Sequence, residues 1–482
     1  MTERLKIISV YGISIGYVAL NIYLLLHDKP WGYLLPFALL LLLLYLFSMD
    51  KVLMMIVFLT PLAVNLVNNE FGFGISLPTE PLLLGILLLF GIKMFLKNDY
   101  DQRIIRHPVS IAIIINLFWL FITCFTSEMP LVSIKFMLAR LWFVVPFFFV
   151  AALLFKDLKN IRRFPWLYVI PLVIVIVYTL FNHAQWGFNK PTSNMVMKPF
   201  YNDHTAYGAA IALFLPVMFS FAFTKIYNRP QRLTALALLV VMVIGIIFSY
   251  SRAAWLSVAF ALVVFAIIKL KIRFTWILFT TAVLVGLFFM FRFQFIDRLE
   301  KNKQDSSTDF VEHIQSISNI SSDASNLERI NRWQSALRMF EERPVFGWGP
   351  GTYQFVYAPF QRSKERTIIS TNYGDMGNAH SEYIGPLSES GVLGMLTFIA
   401  IVVTVIVTAL RVYRQARNKQ VRILVLSFLL GLSSYYVHGL LNNFLDTDKA
   451  SVPFWAFTAI IVALDIYHRK KEPETEEEHI PE

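Results

Sequence analysis

The chain has 482 residues; 56% are hydrophobic, 16% are charged and the net charge is +11. Soluble domains carry about 25% charged residues, so this composition excludes a soluble globular protein and points to a polytopic membrane protein. The basic residues stand in short clusters between apolar runs, as the positive-inside rule distributes them, so the charge reports topology and no nucleic-acid partner is implied.

In chain order, MTERLKIISVYGISIGYVALNIYLLL comes first. A basic start, about twenty apolar residues and no small-residue cleavage site read as a retained signal anchor. A sliding window of roughly 20 residues predicts an all-α fold of about 12–14 transmembrane helices. The spans are 6–26, 31–47, 52–67, 81–96, 108–125, 134–155, 165–181, 205–224, 235–248, 255–268, 274–291, 392–412, 423–441 and 452–467. The single cysteine, Cys124, lies inside an apolar run, so no intrachain disulfide forms.

Basic clusters occur at Lys97/Arg103/Arg106, Lys156/Lys159/Arg162/Arg163, Lys225/Arg229/Arg232, Lys269/Lys271/Arg273, Arg411/Arg414/Arg417/Lys419/Arg422 and Arg469/Lys470/Lys471. Between them lie loops poor in lysine and arginine, such as NNEFGFGISLPTE. With fourteen spans every cluster falls on one side, which puts both termini in the cytoplasm and the long polar segment 292–390 outside.

That segment has three parts. Residues 301–325 are rich in Ser, Asn and Asp and read as a linker or weak helix. In SNLERINRWQSALRMFEERP, Ser325 and Glu328 have capping-box spacing, and Leu327, Ile330, Trp333, Leu337 and Phe340 recur at helical intervals. This is an amphipathic helix lying on the bilayer or on the transmembrane bundle. In VFGWGPGTYQF, three glycines surround Pro350, a backbone of positive φ or close approach; a hairpin after the helix explains them, and an anion-binding nest is the alternative. The C-terminal EPETEEEHIPE reads as a disordered acidic tail.

The runs RINRWQSALRMFEERPVFGWGPGTYQF and GNAHSEYIGPLSESGVLGMLTFI resemble the signature of the bacterial O-antigen ligase and O-antigen polymerase family, which includes protein O-oligosaccharyltransferases. YNDHTAYGAAIALFLP and SYSRAAWLS are similar as well, so the resemblance covers roughly 201–398. It implies a GT-C-type glycosyltransferase of the bacterial inner membrane. Such an enzyme moves a polyprenyl-diphosphate-linked glycan in the periplasm, with no metal, cofactor or nucleotide sugar. The organisation that follows is transmembrane helices over 1–291, a periplasmic loop with the catalytic motif over 292–390, C-terminal transmembrane helices over 391–467 and a cytoplasmic tail over 468–482.

Such a transfer needs a base for the acceptor hydroxyl and cations for the departing diphosphate. A neutral imidazole suits the first task near neutral pH. His380 stands at the membrane boundary, with Glu382 two residues on to orient it, although a histidine there also caps helices. Glu389 shares a helix face with Glu382 if Pro386 does not break the helix, and reads as a boundary residue, fold contact or substrate contact rather than a second base. Arginine pairs with phosphate in a planar fork and keeps its charge. Arg252 in SYSRAAW is the leading candidate, Arg140 in KFMLARLW the second, and Arg329 and Arg332 follow on the amphipathic helix. For Arg252 and Arg140, snorkelling to the headgroups is the plainer reading. Asp203 reads as a helix cap or substrate contact and His204 as a substrate contact or second proton carrier. Asp446-Thr447-Asp448 has the DxD look of metal-dependent transferases but reads as an ordinary loop.

The expected partners are the lipid-linked donor, an acceptor (lipid A-core, or a growing glycan) and membrane lipids. Ligation is favoured over polymerisation. The rival is a polytopic glycolipid transporter or flippase; it predicts internal repeats and ionisable residues along a path, whereas the polar residues of interest gather at one face.

Overall fold

A computed structural model describes residues 3–68, 73–97, 100–273, 324–366, 370 and 377–470, with scattered positions between 275 and 290. The expected span 274–291 lies mostly outside the described residues, as do the acidic tail and nearly all of 301–325. The chain divides into two compact units, Met1–Leu53 and Met54–Glu482. In the first, a short turn joins α1 (Glu3–Leu26) to α2 (Leu35–Phe47), and Tyr17 donates its hydroxyl to the Gly32 carbonyl at 3.1 Å.

The second unit opens within α3 (Met49–Leu59). The span expected over 52–67 ends early, because Pro61 has no N–H to continue the helical ladder. A single turn follows, and then a hairpin of β1 (Val64–Asn68) antiparallel to β2 (Phe73–Leu77), with Val64 opposite Leu77.

Ten helices among the described residues are long and apolar enough to cross a membrane, so the fold is all-α and polytopic. Seven come in succession: α4 (Thr79–Lys97), α5 (Pro108–Phe125), α6 (Pro130–Leu154), α7 (Leu158–Ala184), α8 (His204–Phe223), α9 (Arg229–Ile247) and α10 (Arg252–Lys269). After the polar α11 (Ala324–Glu342) come α12 (Ile384–Gln415), α13 (Lys419–Leu441) and α14 (Asp448–His468).

Burial separates centre from rim. The spans of α13 and α14 are 83% buried, that of α8 is 78% buried, and those of α4 and α10 are only 22% buried. The rim helices turn Phe95, Leu262 and Val263 outward, an apolar surface suited to lipid. Small residues let the central helices close up: a Cβ at Gly208 would press on Ala254 and Ser251 of α10, and one at Gly431 on the Leu213 backbone of α8.

Two ends of the bundle result. At one, Asp465 binds Arg411 at 2.7 Å, Arg469 at 3.1 Å and His107 at 3.2 Å, and the basic loops after α4, α6, α8, α10 and α12 lie there. At the other, α8, α10, α12 and α14 begin and α5, α7, α9 and α13 end.

The start of α12 belongs to this second end. Pro386 does not break the helix, because it sits in the first turn, where its missing N–H has no partner to lose. The break comes at Gly391, with φ 69° and ψ −170°. There the Val392 N–H donates to the Pro344 carbonyl at 3.0 Å.

Candidate functional site

His380 lies on a short segment held from three directions. Its N–H donates to Asn378 Oδ1 at 3.1 Å, and its φ of 48° is left-handed, a conformation that His adopts more readily than most residues. Arg332 donates from Nη1 to the Asn378 carbonyl at 3.1 Å and from Nε to Glu328 at 2.8 Å. Trp333 Nε1 lies 3.5 Å from the His380 carbonyl. The helix cap is Ser381, whose Oγ accepts from the Tyr383 and Ile384 N–H groups at 3.2 and 3.3 Å. The imidazole is therefore spared the capping role.

Around His380 stand residues from remote parts of the chain. Its burial and the charges of Arg332 and Arg329 push its pKa down to about 3. Asp203 and Arg329 both face His204, and so do Lys190 and Arg252. Arg252, the first residue of α10, is close enough to Arg329 for the two charges to repel. The positive end of a helix dipole already disfavours a cation there. Of the residues singled out in the sequence, the fold thus brings His380, His204, Asp203, Arg252, Arg329 and Arg332 together.

The individual geometries follow expectation only in part, the cap expected of Asp203 being present. Asp203 caps α8, accepting from the Thr205 and Ala206 N–H groups at 2.7 and 2.9 Å. His204 meets the Asn194 side chain through Nδ1. Arg332 is engaged with Glu328 and Asn378 and lies over the Tyr357 ring at 5.2 Å, so it braces the histidine segment. The amphipathic helix α11 packs on α12 with a mixed face that includes Ala336 and Met339. It buries Glu328, Asn331, Arg332 and Ser335, while Leu337 is 38% exposed, because Asn331 and Glu328 find partners in Gln361 and Ser370.

Glu382 does not orient the imidazole by any hydrogen bond among the described residues. Its Oε1 accepts from Tyr435 Oη at 2.8 Å and from the Phe444 and Leu445 N–H groups at 2.8 and 2.9 Å. Burial pushes its pKa up against these bonds. Glu389 accepts from the Tyr353 N–H at 3.1 Å and so holds the glycine loop. That loop packs backbone to backbone on α12: Gly349 N–H donates to the Glu389 carbonyl at 2.7 Å, and a Cβ at Gly347 would collide with the same carbonyl group. Close approach explains these glycines. Arg140 stands apart from the other arginines, its charge acting on Glu382, Glu389 and Asp446.

Two members of the cluster went unremarked in the sequence. Lys190 lies in the loop before α8 and faces His204. His438, buried in the last turn of α13, is close to Arg329 and Asp203. The signal for it was an ionisable residue inside the apolar run YYVHGLL.

The DxD pair is divided. Asp448 accepts from Thr79 Oγ1 at 2.6 Å and pairs with Lys449 at 3.7 Å, whereas Asp446 faces Arg140. Among the described residues no three His, Cys, Asp or Glu side chains are grouped to hold a metal ion.

No curated protein matches the chain. Residues 237–399, about a third of the chain, match the Wzy_C family, described as O-antigen ligase. The match takes in Arg252, Arg329, Arg332, His380, Glu382 and Glu389 and leaves out Arg140, Asp203 and His204. The segment similar to the O-antigen ligase family model therefore carries both the arginines facing His380 and His380 itself.

Proposed function

We propose that this glycosyltransferase-like membrane protein moves a glycan from a polyprenyl diphosphate to an acceptor hydroxyl. The observation that carries the reading is the crowding of Arg252 and Arg329 beside His380 and His204. Like charges brought together at a helix N-terminus call for an anion, and a diphosphate supplies one.

In this reading the acceptor oxygen attacks the anomeric carbon while His380 takes its proton. The bond from that carbon to the diphosphate oxygen breaks, and the electron pair leaves on the diphosphate, held by Arg252 and Arg329. Before the donor arrives, the arginines keep His380 neutral but weakly basic. The diphosphate offsets their charge, so the imidazole becomes the stronger base once the donor is in place. Glu382 holds the histidine segment against α13 and the turn after it, and is a positioning residue.

The basic loops at the opposite end support a cytoplasmic location for that end, with the site on the outer face of the bacterial inner membrane. A lipid A-core acceptor makes the protein a ligase; a growing glycan makes it a polymerase, with the same residues. Deleting the gene and resolving surface glycans on a gel tests both. Loss of the whole ladder with the core retained supports ligation, single-repeat products support polymerisation, and an unchanged ladder overturns the proposal.

A further inference from the structure

We infer that Arg140 positions His380 from beneath and takes no part in holding the donor. The inference rests on reading His380 as the base.

Arg140 lies ten positions into the span of α6, in a cavity lined also by Glu382, Glu389, Asn116, Ser390 and Trp455. Its guanidinium acts on three carboxylates, those of Glu382, Glu389 and Asp446. The charges acting on His380 belong to Arg332, Arg329 and Asp203. Arg140 thus faces three carboxylates, while the proposed diphosphate arginines face histidines, one another and the single carboxylate of Asp203.

Each engaged carboxylate ties down a piece of backbone near the site. Glu382 binds the N–H groups of Phe444 and Leu445, and its own N–H donates to the Gly439 carbonyl at 2.7 Å. The segment two residues from His380 is therefore clamped between α13 and the turn leading to α14. Glu389 holds Tyr353 and with it the glycine loop under α11. The Asp446 charge repels both glutamates, and a buried charge left without its counter-charge is strongly unfavourable. Arg140 supplies that counter-charge from the membrane side. Without it the carboxylates part or take up protons, and the clamps on the His380 segment loosen.

The test is steady-state transfer by purified protein, with a synthetic lipid-diphosphate-linked glycan as donor. Displacing a catalytic group by 1 Å can cost about 10²-fold, so Arg140→Gln is expected to lower kcat on that order while the donor KM stays unchanged. Arg140→Lys keeps the charge and is expected to retain most of kcat. Adding Glu389→Gln to Arg140→Gln removes one negative charge but leaves an oxygen for the Tyr353 N–H, and is expected to recover kcat and folded yield together. A raised donor KM with kcat retained in Arg140→Gln overturns the inference, as does loss of donor affinity in Arg140→Lys or failure of the double variant to recover. His380→Ala run in parallel separates the two readings. Near-normal transfer by that variant removes the base itself, whereas an inactive His380→Ala leaves the Arg140 outcomes to decide positioning alone.

Discussion

Arg329 rests on the end of α13, its Nε donating to the carbonyl oxygen of Leu441 at 3.2 Å. The last carbonyls of a helix carry partial negative charge, so this contact offsets part of the repulsion from Arg252. The backbone of a central helix, one of the most buried in the bundle, thereby sets where one of the arginines proposed to hold the diphosphate stands. α13 also carries His438 in the same turn and lends the Gly439 carbonyl to the Glu382 N–H. One helix end thus supports both the cation side and the base side of the cluster.

The pH dependence of transfer follows from His380. A protonated imidazole accepts no proton, so activity falls as pH drops through its pKa. In the free protein that value is pushed down to about 3. The acid limb of kcat/KM, which reports the free enzyme, is therefore expected well below the ordinary histidine value of about 6.5. The limb of kcat, which reports the donor complex, is expected at higher pH, because the diphosphate offsets the arginine charges. His380→Ala should lose about 10²- to 10⁴-fold in transfer at normal membrane levels. Coincident limbs near 6.5 in kcat and kcat/KM would count against the electrostatic account.

Arg252→Lys separates charge from geometry. Lysine keeps the cation but cannot form the bidentate fork, so transfer should fall and the donor KM should rise. A snorkelling arginine tolerates lysine, whose stem also reaches the headgroups. Parallel assays with EDTA should match those without it. Wild-type kinetics in Arg252→Lys would remove Arg252 from the site.

Gly391→Ala probes the junction of α12 with the glycine loop. A φ of 69° with a ψ of −170° is open essentially to glycine alone and costs other residues about 1–3 kcal/mol. A Cβ there also collides with the Val345 carbonyl. Folded yield and Tm in detergent should both drop. Gly91→Ala, on the rim helix α4 with nothing within 4 Å of its added Cβ, should be neutral or stabilising by about 0.4–1 kcal/mol. Equal Tm values for the two variants would refute the close-packing argument.

The orientation is testable by cysteine labelling, since Cys124 is buried. Gln185, exposed at the end that carries the site, and Arg414, exposed at the other, are suitable positions. With the outer envelope opened, an impermeant thiol reagent should modify Gln185→Cys and spare Arg414→Cys. The reverse pattern would place the site in the cytoplasm.

Much of the site was legible because its residues stand out against an apolar background. Arg252 and His380 each interrupt or border hydrophobic runs, where an ionisable group is costly without a task, and Arg329 stands in a segment that carries the family resemblance. The apolar periodicity of α11 indicated the helix but not which of its residues face the bundle. Its polar stripe has Gln361, Ser370 and Asn378 as neighbours, and buried polar groups with partners outcompete an apolar face that a membrane boundary leaves free. Glu382 was misjudged for a related reason. Adjacency in sequence suggested a partner for His380, but the fold sets the Glu382 carboxylate against Tyr435 Oη and the backbone N–H groups of residues 444 and 445.

By itself the sequence determined that the chain is an all-α membrane protein, where most of its spans run and which loops carry the positive charge, since hydropathy and charge are local properties summed over about 20 residues. Tertiary structure alone decided that Arg140 serves carboxylates while Arg252 and Arg329 face histidines, and that Lys190 and His438 join them. All five are cations or imidazoles, and nothing in the residues beside them tells their roles apart. Their roles diverge because helix packing sets which charges come within Coulombic reach, and that distance is not encoded in any one segment of the chain.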